Sequence, residues 1–403
     1  MTSSLPPPAP TRMSERRVAI FGAVLTAIGP ISMAISTPAM PEMVNAFGTT
    51  EATIKLSLSF YFGGFAVAQL LAGPASDTFG RRKATLAFMA IYLLGALISV
   101  FATSVEALLI GRLIQGIGAS VGVTVARAIV RDLFVGAEAA RIMNLVGIMV
   151  AIGPAMGPTI GGLSLSAFGW ESVFVLMVLF GIGIIGSVFF LLKETTVPDR
   201  SRIRPTRLIA AYRETLSEPR FLTTALILGG SVGALYAQST MLPFVLIGAV
   251  GLTPTQFGLS MLMQSGAYFG GSLVLKQASG RIGATGAVRI GLALIGFGAL
   301  LMFSWNNLLP ATLISIMGPV AICTFGLAFI TPQVVTMALA PFPHIAGSAS
   351  AIMGFIQMSF GFAGGVAAAA LGSPVFAFSI VIPAMELIAI AGYFGYLALN
   401  RQR

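Results

Sequence analysis

Charged and metal-binding side chains are scarce in this sequence of 403 residues. Only 9% of the residues are Asp, Glu, Lys or Arg, and the chain holds one histidine and one cysteine. The single cysteine, Cys323, excludes an intramolecular disulfide. One histidine and one cysteine also cannot build the cluster of ligands that a metal site or a metal-dependent enzyme needs. We therefore expect neither a metal nor a cofactor, and the composition argues against an enzyme.

Apolar residues are abundant instead: 56% of the chain is hydrophobic, and the mean hydropathy is +0.94. A transmembrane helix needs about 20 predominantly apolar residues, and uncharged runs of this length recur, for example at 84–105. A transmembrane barrel would show a weaker, alternating pattern. The sequence therefore predicts an all-α integral membrane protein of twelve transmembrane helices. The predicted spans are 18–40, 54–76, 84–104, 107–130, 142–166, 172–192, 221–246, 255–275, 287–305, 309–338, 345–369 and 374–399.

The net charge of +10 follows from the way basic residues are distributed, and it does not indicate a nucleic-acid partner. If the N-terminus is cytoplasmic, the 23 Lys and Arg residues all fall at cytoplasmic helix ends or loops, except Lys55 and Arg112. This is the positive-inside pattern of membrane proteins. It predicts a multi-pass protein with both termini in the cytoplasm.

Four regions follow from the spans and the charges. Residues 1–17 are proline-rich and predicted to be a disordered cytoplasmic segment. Residues 18–192 form a first half of six spans, and 221–403 form a second half of six. The basic stretch 193–220 between them is the longest loop and is predicted to be a cytoplasmic linker. The first apolar run is too long for a signal peptide, so we expect it to stay as a span.

The stretch GPASDTFGRRK, residues 73–83, concentrates charge at the predicted turn between the second and third spans. Gly80 permits a backbone conformation that a β-carbon would hinder, and Arg81 and Arg82 help to hold the turn in the cytoplasm. Topology alone does not explain Asp77, because acidic residues contribute little to orientation. We expect the Asp77 carboxylate to pair with cations and to accept helix N-terminal N–H groups while a cytoplasmic gate is closed.

This stretch resembles the G-x-x-x-D-x-x-G-R-R-K loop signature of the major facilitator superfamily, in which the loop stabilises the outward-facing state. A decayed copy, ASGRIGATGAVR at 278–289, follows the eighth span, with Gly280 in the place of Asp77. Such internal duplication is typical of this fold, whose two halves are pseudo-symmetric repeats. The resemblance implies that Arg131 and Asp132, at the inner end of the fourth span, bond to the loop and belong to the gate.

A second motif, LIGRLIQGIGAS at 109–120, places Arg112 inside the predicted fourth span. A charge there costs at least ~2.5–3.5 kcal/mol by insertion scales and indicates a function. The motif resembles the fourth-span pattern R-x-x-Q-G-x-G of the superfamily, completed here by Gln115, Gly116 and Gly118. The resemblance assigns Arg112 to proton coupling. The alternative is an arginine that extends to the outer interface.

A third motif, GIMVAIGPAMGPTIGG at 147–162, resembles the fifth-span signature of the superfamily's exporters, which its importers generally lack. Three of its glycines recur every four residues, so they form a stripe along which a neighbouring helix can approach closely. General helix packing would explain the stripe but would not require paired Gly-Pro steps, whose prolines bend a helix. The motif residues are Gly153, Pro154, Gly157, Pro158, Gly161 and Gly162.

Two further stretches, STPAMP at 36–41 and ALAPFPHIAGSASAIMGFIQMSFG at 338–361, resemble the bicyclomycin/chloramphenicol resistance (Bcr/CflA) family of drug:proton antiporters. That family usually carries an aspartate in the first span, within D-x-Y-L-P. This sequence has Ala34 at the position of the acid and Ser36 at that of the tyrosine. The standard proton site of the family is therefore missing.

Few other titratable groups could carry a proton. Glu386, in the middle of the twelfth span, is the one acid deep in a predicted span, although that span is peripheral in the family. Glu42 at the outer end of the first span could approach Arg112 across a cavity or simply be solvated. His344 at a helix junction is either a turn residue or a proton shuttle.

The resemblance implies a substrate cavity between spans one, four, seven and ten. Methionine and aromatic side chains tolerate varied ligands, although most such residues in a bundle only pack. The candidate cavity residues are Met33, Gln115, Thr124, Tyr236, Gln238, Met241, Gln333 and Met337.

Together these motifs predict a monomeric exporter of small amphipathic compounds in a bacterial inner membrane, acting in drug or multidrug efflux. Its expected partners are a small-molecule substrate, protons and the lipid bilayer, and its mechanism is rocking of the two halves around a mid-membrane site. One alternative is a metabolite or nutrient permease of the same fold, which the fifth-span motif disfavours. A membrane receptor or enzyme is the alternative from another class.

Overall fold

The structure, a computed structural model, describes residues 13–134, 136–196, 198 and 205–401. Regular structure in this part of the chain is helical, without a β-strand. The helices are α1 Glu15–Ala34, α2 Met40–Ala46, α3 Glu51–Phe79, α4 Arg81–Val100, α5 Val105–Ala119, α6 Val121–Leu133, α7 Gly136–Phe168, α8 Glu171–Leu191, α9 Pro205–Ser217, α10 Pro219–Pro243, α11 Pro254–Leu308, α12 Leu313–Leu339, α13 Ala346–Ala370 and α14 Pro374–Arg401.

The described chain supplies twelve membrane-crossing segments, as the sequence predicts. Ten helical segments are long and apolar enough to cross a membrane by length and composition. One of these, α11, has 55 residues and a kink at Gly283, so it provides two successive spans. The 33-residue α7 provides one more. The all-α membrane fold is therefore confirmed.

The turns after the second and eighth spans are built in the same way. Gly80, between α3 and α4, has φ 93°, and Gly283, inside α11, has φ 63°. A residue with a β-carbon is strained in this region of backbone space, whereas glycine is not. Gly283 follows Gly280 by three residues, as Gly80 follows Asp77. The turn glycine is thus present in both halves, although the acid is present only in the first.

The first span differs from its predicted form because Pro38 interrupts it. Helix α1 ends at Ala34, a short 3₁₀ turn follows at Thr37–Ala39, and α2 begins at Met40. Proline lacks an N–H donor, so Pro38 cannot continue the α-helical pattern. The hydroxyl of Thr37 donates a 2.7 Å hydrogen bond to the carbonyl of Ala34 and satisfies one of the freed acceptors.

The apolar core divides at the linker. One large cluster of buried side chains draws almost entirely on residues 13–192, with Phe244 added from the other half. The remaining clusters draw on residues 221–393. Each half therefore packs around its own core, and this arrangement leaves the halves able to move as bodies.

The bundle has two ends, which we call the basic end and the opposite end. The basic end carries the turn at Gly80, the linker and the connection between α12 and α13. The opposite end carries the connections that precede α3, α5, α8, α11, α12 and α14. Successive spans alternate between the two ends.

The halves meet closely at the opposite end, between α7 and α11. The hydroxyl of Thr159 donates to the carbonyl of Gly258 at 3.0 Å, and the hydroxyls of Ser166 and Thr255 are 3.3 Å apart. A β-carbon on Gly258 would lie only 2.7 Å from the carbonyl oxygen of Pro158. We call this contact the seam. It joins the two halves at the opposite end.

A second contact between the halves joins α3 to α13 and to the linker helix. The side chain of Gln69 lies directly on Gly354 of α13. In α9, the Tyr212 hydroxyl donates a 2.6 Å hydrogen bond to the carbonyl of Leu70. Burial raises the pKa of Tyr212, so this donor keeps its proton at physiological pH. The linker is thus partly helical and fastened to the first half.

Candidate functional site

Arg81 is the centre of a network of ion pairs and hydrogen bonds at the basic end. Its guanidinium is almost fully buried and forms an ion pair with Asp77, four residues earlier. It also donates to Asp132 of α6 at 2.9 Å and to the Ser76 hydroxyl at 2.7 Å. This arginine therefore joins α3, α4 and α6 through charge-assisted hydrogen bonds.

Glu194, just after α8, is a member of this network that the sequence reasoning missed. Its carboxylate accepts the backbone N–H of Arg81 at 2.7 Å and that of Arg82 at 3.2 Å. These are free donors at the N-terminus of α4, where a negative charge is favourable. A β-carbon on Gly80 would collide with the Glu194 carboxylate. The helix-capping role expected of Asp77 is filled at these two N–H groups by Glu194.

Two other predicted gate residues are placed differently. The guanidinium of Arg82 donates to the carbonyl of Phe189 in α8 at 2.8 Å. Arg131 was expected to bond to the loop, but it is exposed and makes no hydrogen bond or ion pair within the described part of the chain. Its neighbour Asp132 makes both kinds of contact. Its carboxylate forms an ion pair with Arg81 and accepts a 3.1 Å hydrogen bond from the Thr195 hydroxyl.

Arg112 lies inside the first half, with only 1% of its surface exposed. It donates to the Gln115 side chain at 2.5 Å, to the carbonyl of Ser32 at 3.3 Å and to the Ser36 hydroxyl at 3.3 Å. Its guanidinium lies over the ring of Tyr61, 4.7 Å from the centroid. The guanidinium therefore does not extend to the outer interface, and no described carboxylate pairs with it.

Two residues expected near Arg112 do not provide an acid there. Ala34 is buried against α7, where it faces Gly157. Glu42 is exposed at the opposite end, and Arg112 binds Ser32 and Ser36 instead. The suggested approach of Glu42 to Arg112 is therefore absent, because the partners of the arginine come from α1 and its own helix.

The glycine stripe of α7 packs directly on α1. A β-carbon on Gly153 would lie 2.8 Å from Pro30, and one on Gly157 would lie 2.6 Å from Ala34. A β-carbon on Gly161 would collide with the carbonyl oxygen of Ile35. The stripe thus allows two backbones to run in contact, which no larger residue would permit.

The same motif reaches the seam. A β-carbon on Gly162 would collide with the carbonyl oxygen of Pro254 in α11. Pro158, also buried, lies against Gly258. The side chain of Pro154 lies outside the described residues. The fifth-span motif therefore serves two contacts, one within the first half and one between the halves.

The candidate cavity residues separate into two groups in this conformation. Met33, Gln115, Gln238 and Met241 are buried, whereas the other four are partly exposed. Met241 belongs to the apolar core of the second half, so it does not line accessible space here. The partly exposed residues are Thr124, Tyr236, Gln333 and Met337.

Arg127 is a further residue of this region, which the sequence reasoning counted only as a topological charge. It lies six residues before the end of α6, about 9 Å along the helix. Its side chain is accessible although protein surrounds it, and its charge interacts with Tyr236 of α10. It forms no hydrogen bond with a described residue. The spacing of Arg127 from the helix end was the signal that could have identified it.

Lys55 is a second residue that the sequence reasoning passed over. It is fully buried near the opposite end of α3, and its ammonium has no hydrogen-bond partner among the described residues. Glu51, on the preceding turn, is 3.9 Å away, and the ring centroid of Phe244 in the other half is 5.2 Å away. A buried cation with so little compensation is costly.

The other two proton candidates lie far from Arg112. Glu386 is 4% exposed within the second half, where its charge interacts with Cys323 of α12, and one of its oxygens has no described partner. His344 is exposed and lies 2.7 Å from Glu214 of α9. It therefore joins the linker helix to the α12–α13 connection.

We expect Glu386→Gln to reduce stability more than it changes proton dependence. The substitution keeps the volume but places an amide with two N–H donors at a buried position where Oε2 already has no described partner, and leaving a buried donor unsatisfied costs about 1–3 kcal/mol. Thermal unfolding of the purified variant should show the loss. A variant that bound substrate normally in liposomes but ignored an imposed pH gradient would instead make Glu386 the proton site.

Comparisons with known proteins agree with this architecture. The family model of the Major Facilitator Superfamily matches residues 20–368. Multidrug resistance protein D of Escherichia coli (strain K12) is 27% identical over 337 residues, 83% of this chain and 84% of that protein. A chloramphenicol resistance protein of Pseudomonas aeruginosa is 27% identical over 330 residues, 81% of this chain and 77% of that protein.

A solved structure shares the fold at lower identity. The crystal structure of a bacterial homologue of the human lysosomal transporter Spinster, in an inward-facing and unoccupied conformation, matches with a TM-score of 0.72 and 16% identity. The match covers 96% of this chain and 97% of that one. Family model, relatives and fold agree that this chain is a membrane transporter and not an enzyme. It belongs to the Major Facilitator Superfamily.

Proposed function

We propose that this transporter exports small amphipathic compounds from the cytoplasm by proton antiport, acting as a monomer in a bacterial inner membrane. The multidrug and chloramphenicol resistance proteins among its relatives support a drug-like substrate. The moving bodies are the halves 18–192 and 221–403, joined by the linker 193–220. Alternating access between the halves is the mechanism.

The observation that carries this proposal is the closed seam, together with accessible side chains between the halves. The positive-inside rule makes the basic end cytoplasmic, with both termini on that side. Arg127, Tyr236 and Gln333 are then reached from the cytoplasm while the seam keeps the outside closed. This is the conformation in which an exporter takes up its substrate.

The gate proposal concerns the network around Arg81. Its bonds with Asp77 and Asp132 lie wholly within the first half. They hold the basic ends of α3, α4 and α6 together as one surface, against which the second half can close. Opening of the seam would accompany this closure.

Proton coupling rests on Arg112. Its buried charge without a carboxylate partner can change the ionisation of any acidic group that comes near, including one on a substrate. We expect Arg112→Ala to abolish concentrative efflux, and Arg112→Lys to retain part of it, since lysine keeps the charge but not the planar fork. The measurement is steady-state accumulation of a panel of amphipathic drugs in cells, at matched expression.

The same assay tests the direction and the energy source. Cells expressing the wild type should hold less compound than empty-vector cells, and a protonophore should remove the difference. Higher accumulation in expressing cells would indicate a permease. Efflux that survives the protonophore would remove protons from the mechanism.

A further inference from the structure

We infer that the exported compound is an organic anion, and that Arg127 and Tyr236 bind its anionic group at the cytoplasmic entrance. The inference rests on the proposed export function and names the substrate class of that site. It depends on the charges inside the described helices, on the surroundings of Arg127 and on Lys55, which lies where α3 meets Phe244 of the second half.

The charges inside the bundle are unequal in sign. Arg112 lies in the middle of the α5–α6 span, and Lys55, Arg127 and Arg141 lie four to six residues from the ends of α3, α6 and α7; all four are cations. In the described second half, Lys276 and Arg289 lie seven and six residues from the turn at Gly283, and the acid Glu386 in α14 is buried in the core of that half. Helices α12 and α13 carry no charged residue at all. A substrate between the halves therefore meets cationic or neutral groups.

Arg127 has the free donors that an anion needs. It makes no hydrogen bond or ion pair within the described chain, and the ionisable groups near enough to influence it are Arg131, which has the same charge, and Tyr236. Guanidinium presents a planar set of N–H donors that fits a carboxylate in two parallel hydrogen bonds. Because protein surrounds this arginine, water screens its field less than at an open surface.

Aromatic side chains beside Arg127 suit the apolar body of such a compound. Tyr236 packs on Phe62 of α3 with ring centroids 5.6 Å apart, and Tyr268 of α11 lies near Tyr236. The Tyr236 hydroxyl makes no hydrogen bond with a described residue, so it can donate to the same anionic group. The result is a cationic group that can bind an anion, next to aromatic rings that can pack on an apolar body.

Lys55 supplies a second cation further along the path. It is buried where α3 meets the second half, 5.2 Å from the ring centroid of Phe244, and its ammonium pairs with Glu51 at 3.9 Å without a hydrogen-bond partner among the described residues. An anion that leaves Arg127 thus approaches a second cation near the opposite end, with Glu51 as the acid beside it.

An anionic substrate also reduces the need for the proton site that is missing at Ala34. A cell interior is electrically negative, so an anion moves outward down the membrane potential. Part of the work of export is then done without a titratable residue at Ala34. The positive-inside rule offers a different explanation of Arg127, as a residue that only orients α6, and the experiment separates the two.

The test is equilibrium binding to the purified wild-type transporter by calorimetry, with 2-naphthoate and its neutral isostere 2-naphthamide as probes. We expect 2-naphthoate to bind about tenfold more tightly, the usual value of a hydrogen bond to a charged group. Arg127→Gln should remove this preference, so that the two probes bind with similar affinity. Arg131→Gln, an exposed arginine on the same helix, is the control with the same change of charge, and it should retain the preference.

Equal binding of the two probes by the wild type would overturn the inference, as would equal effects of Arg127→Gln and Arg131→Gln. The export proposal fails separately. If Arg127 selects the anion but cells accumulate 2-naphthoate instead of expelling it, the anion site is supported and the export proposal is wrong. If cells expel neutral drugs yet the purified protein shows no preference for the anion, the export proposal is supported and the inferred anion site is wrong.

Discussion

Gly157→Leu should abolish transport and leave a folded protein in the membrane. A β-carbon at this position already lies 2.6 Å from Ala34, so a leucine must push α1 away from α7. Overpacking of this kind costs about 1–3 kcal/mol, which a large membrane bundle can survive. Because α7 also forms the seam, the displacement should prevent the opposite end from closing. Drug accumulation in cells should rise to the level of the empty vector.

Gly183→Leu on α8 is the matched control. A β-carbon there meets nothing within 4 Å, and the residue is exposed on the outside of the bundle. It should transport as the wild type does. A smaller change, Gly161→Ala, should already be harmful, since even its methyl group would collide with the carbonyl of Ile35. Normal efflux by Gly157→Leu would show that close packing of α1 on α7 is not needed for transport.

Asp77→Asn should insert and fold but transport poorly. It removes one of the two carboxylates that hold the nearly buried Arg81, and loss of a partner in such a pair costs about 1–3 kcal/mol. The basic-end surface of the first half should then close less well against the second half. The population should shift toward the conformation with an open cytoplasmic side.

Cysteine labelling measures that shift. The natural Cys323 is buried, so a Cys323→Ala background with Gln333→Cys provides one accessible reporter between the halves. Asp77→Asn should increase its labelling by a maleimide applied from the cytoplasmic side. Gly280→Ala, at the corresponding place in the second half, should change little, because no charge is lost and its β-carbon meets nothing within 4 Å. Full transport by Asp77→Asn would show that the charges of this loop only set the orientation of the helices in the membrane.

The spans and their turns were readable from the sequence because they depend on local properties. Apolar runs identify helices that cross a membrane, and a glycine such as Gly80 identifies a turn that other residues would strain. Glu194 could not be assigned in this way. Its role arises because α8 ends beside the start of α4, and residues 113 positions apart meet only in the folded bundle.

Arg127 and Lys55 show a second limit. Both look like ordinary helix-end charges in the sequence, and only the packing reveals that protein surrounds Arg127 and that Lys55 is buried against Phe244 of the other half. Arg112 was recognised because its motif is specific, but its partners were not. Ser32, Ser36 and Tyr61 come from other helices whose register no pattern in the sequence fixes.

The seam is built mostly from main-chain atoms, since Gly162 lies on the carbonyl of Pro254, Gly258 lies on that of Pro158, and Thr159 bonds to a carbonyl. Backbone contacts of this kind are indifferent to the side chains that face the space between the halves. Substitutions at the proposed anion site, Arg127 and Tyr236, can therefore alter binding without weakening this contact. Substrate selectivity and gating can therefore evolve separately, and a few mutations between the halves could allow the same fold to transport new substrates.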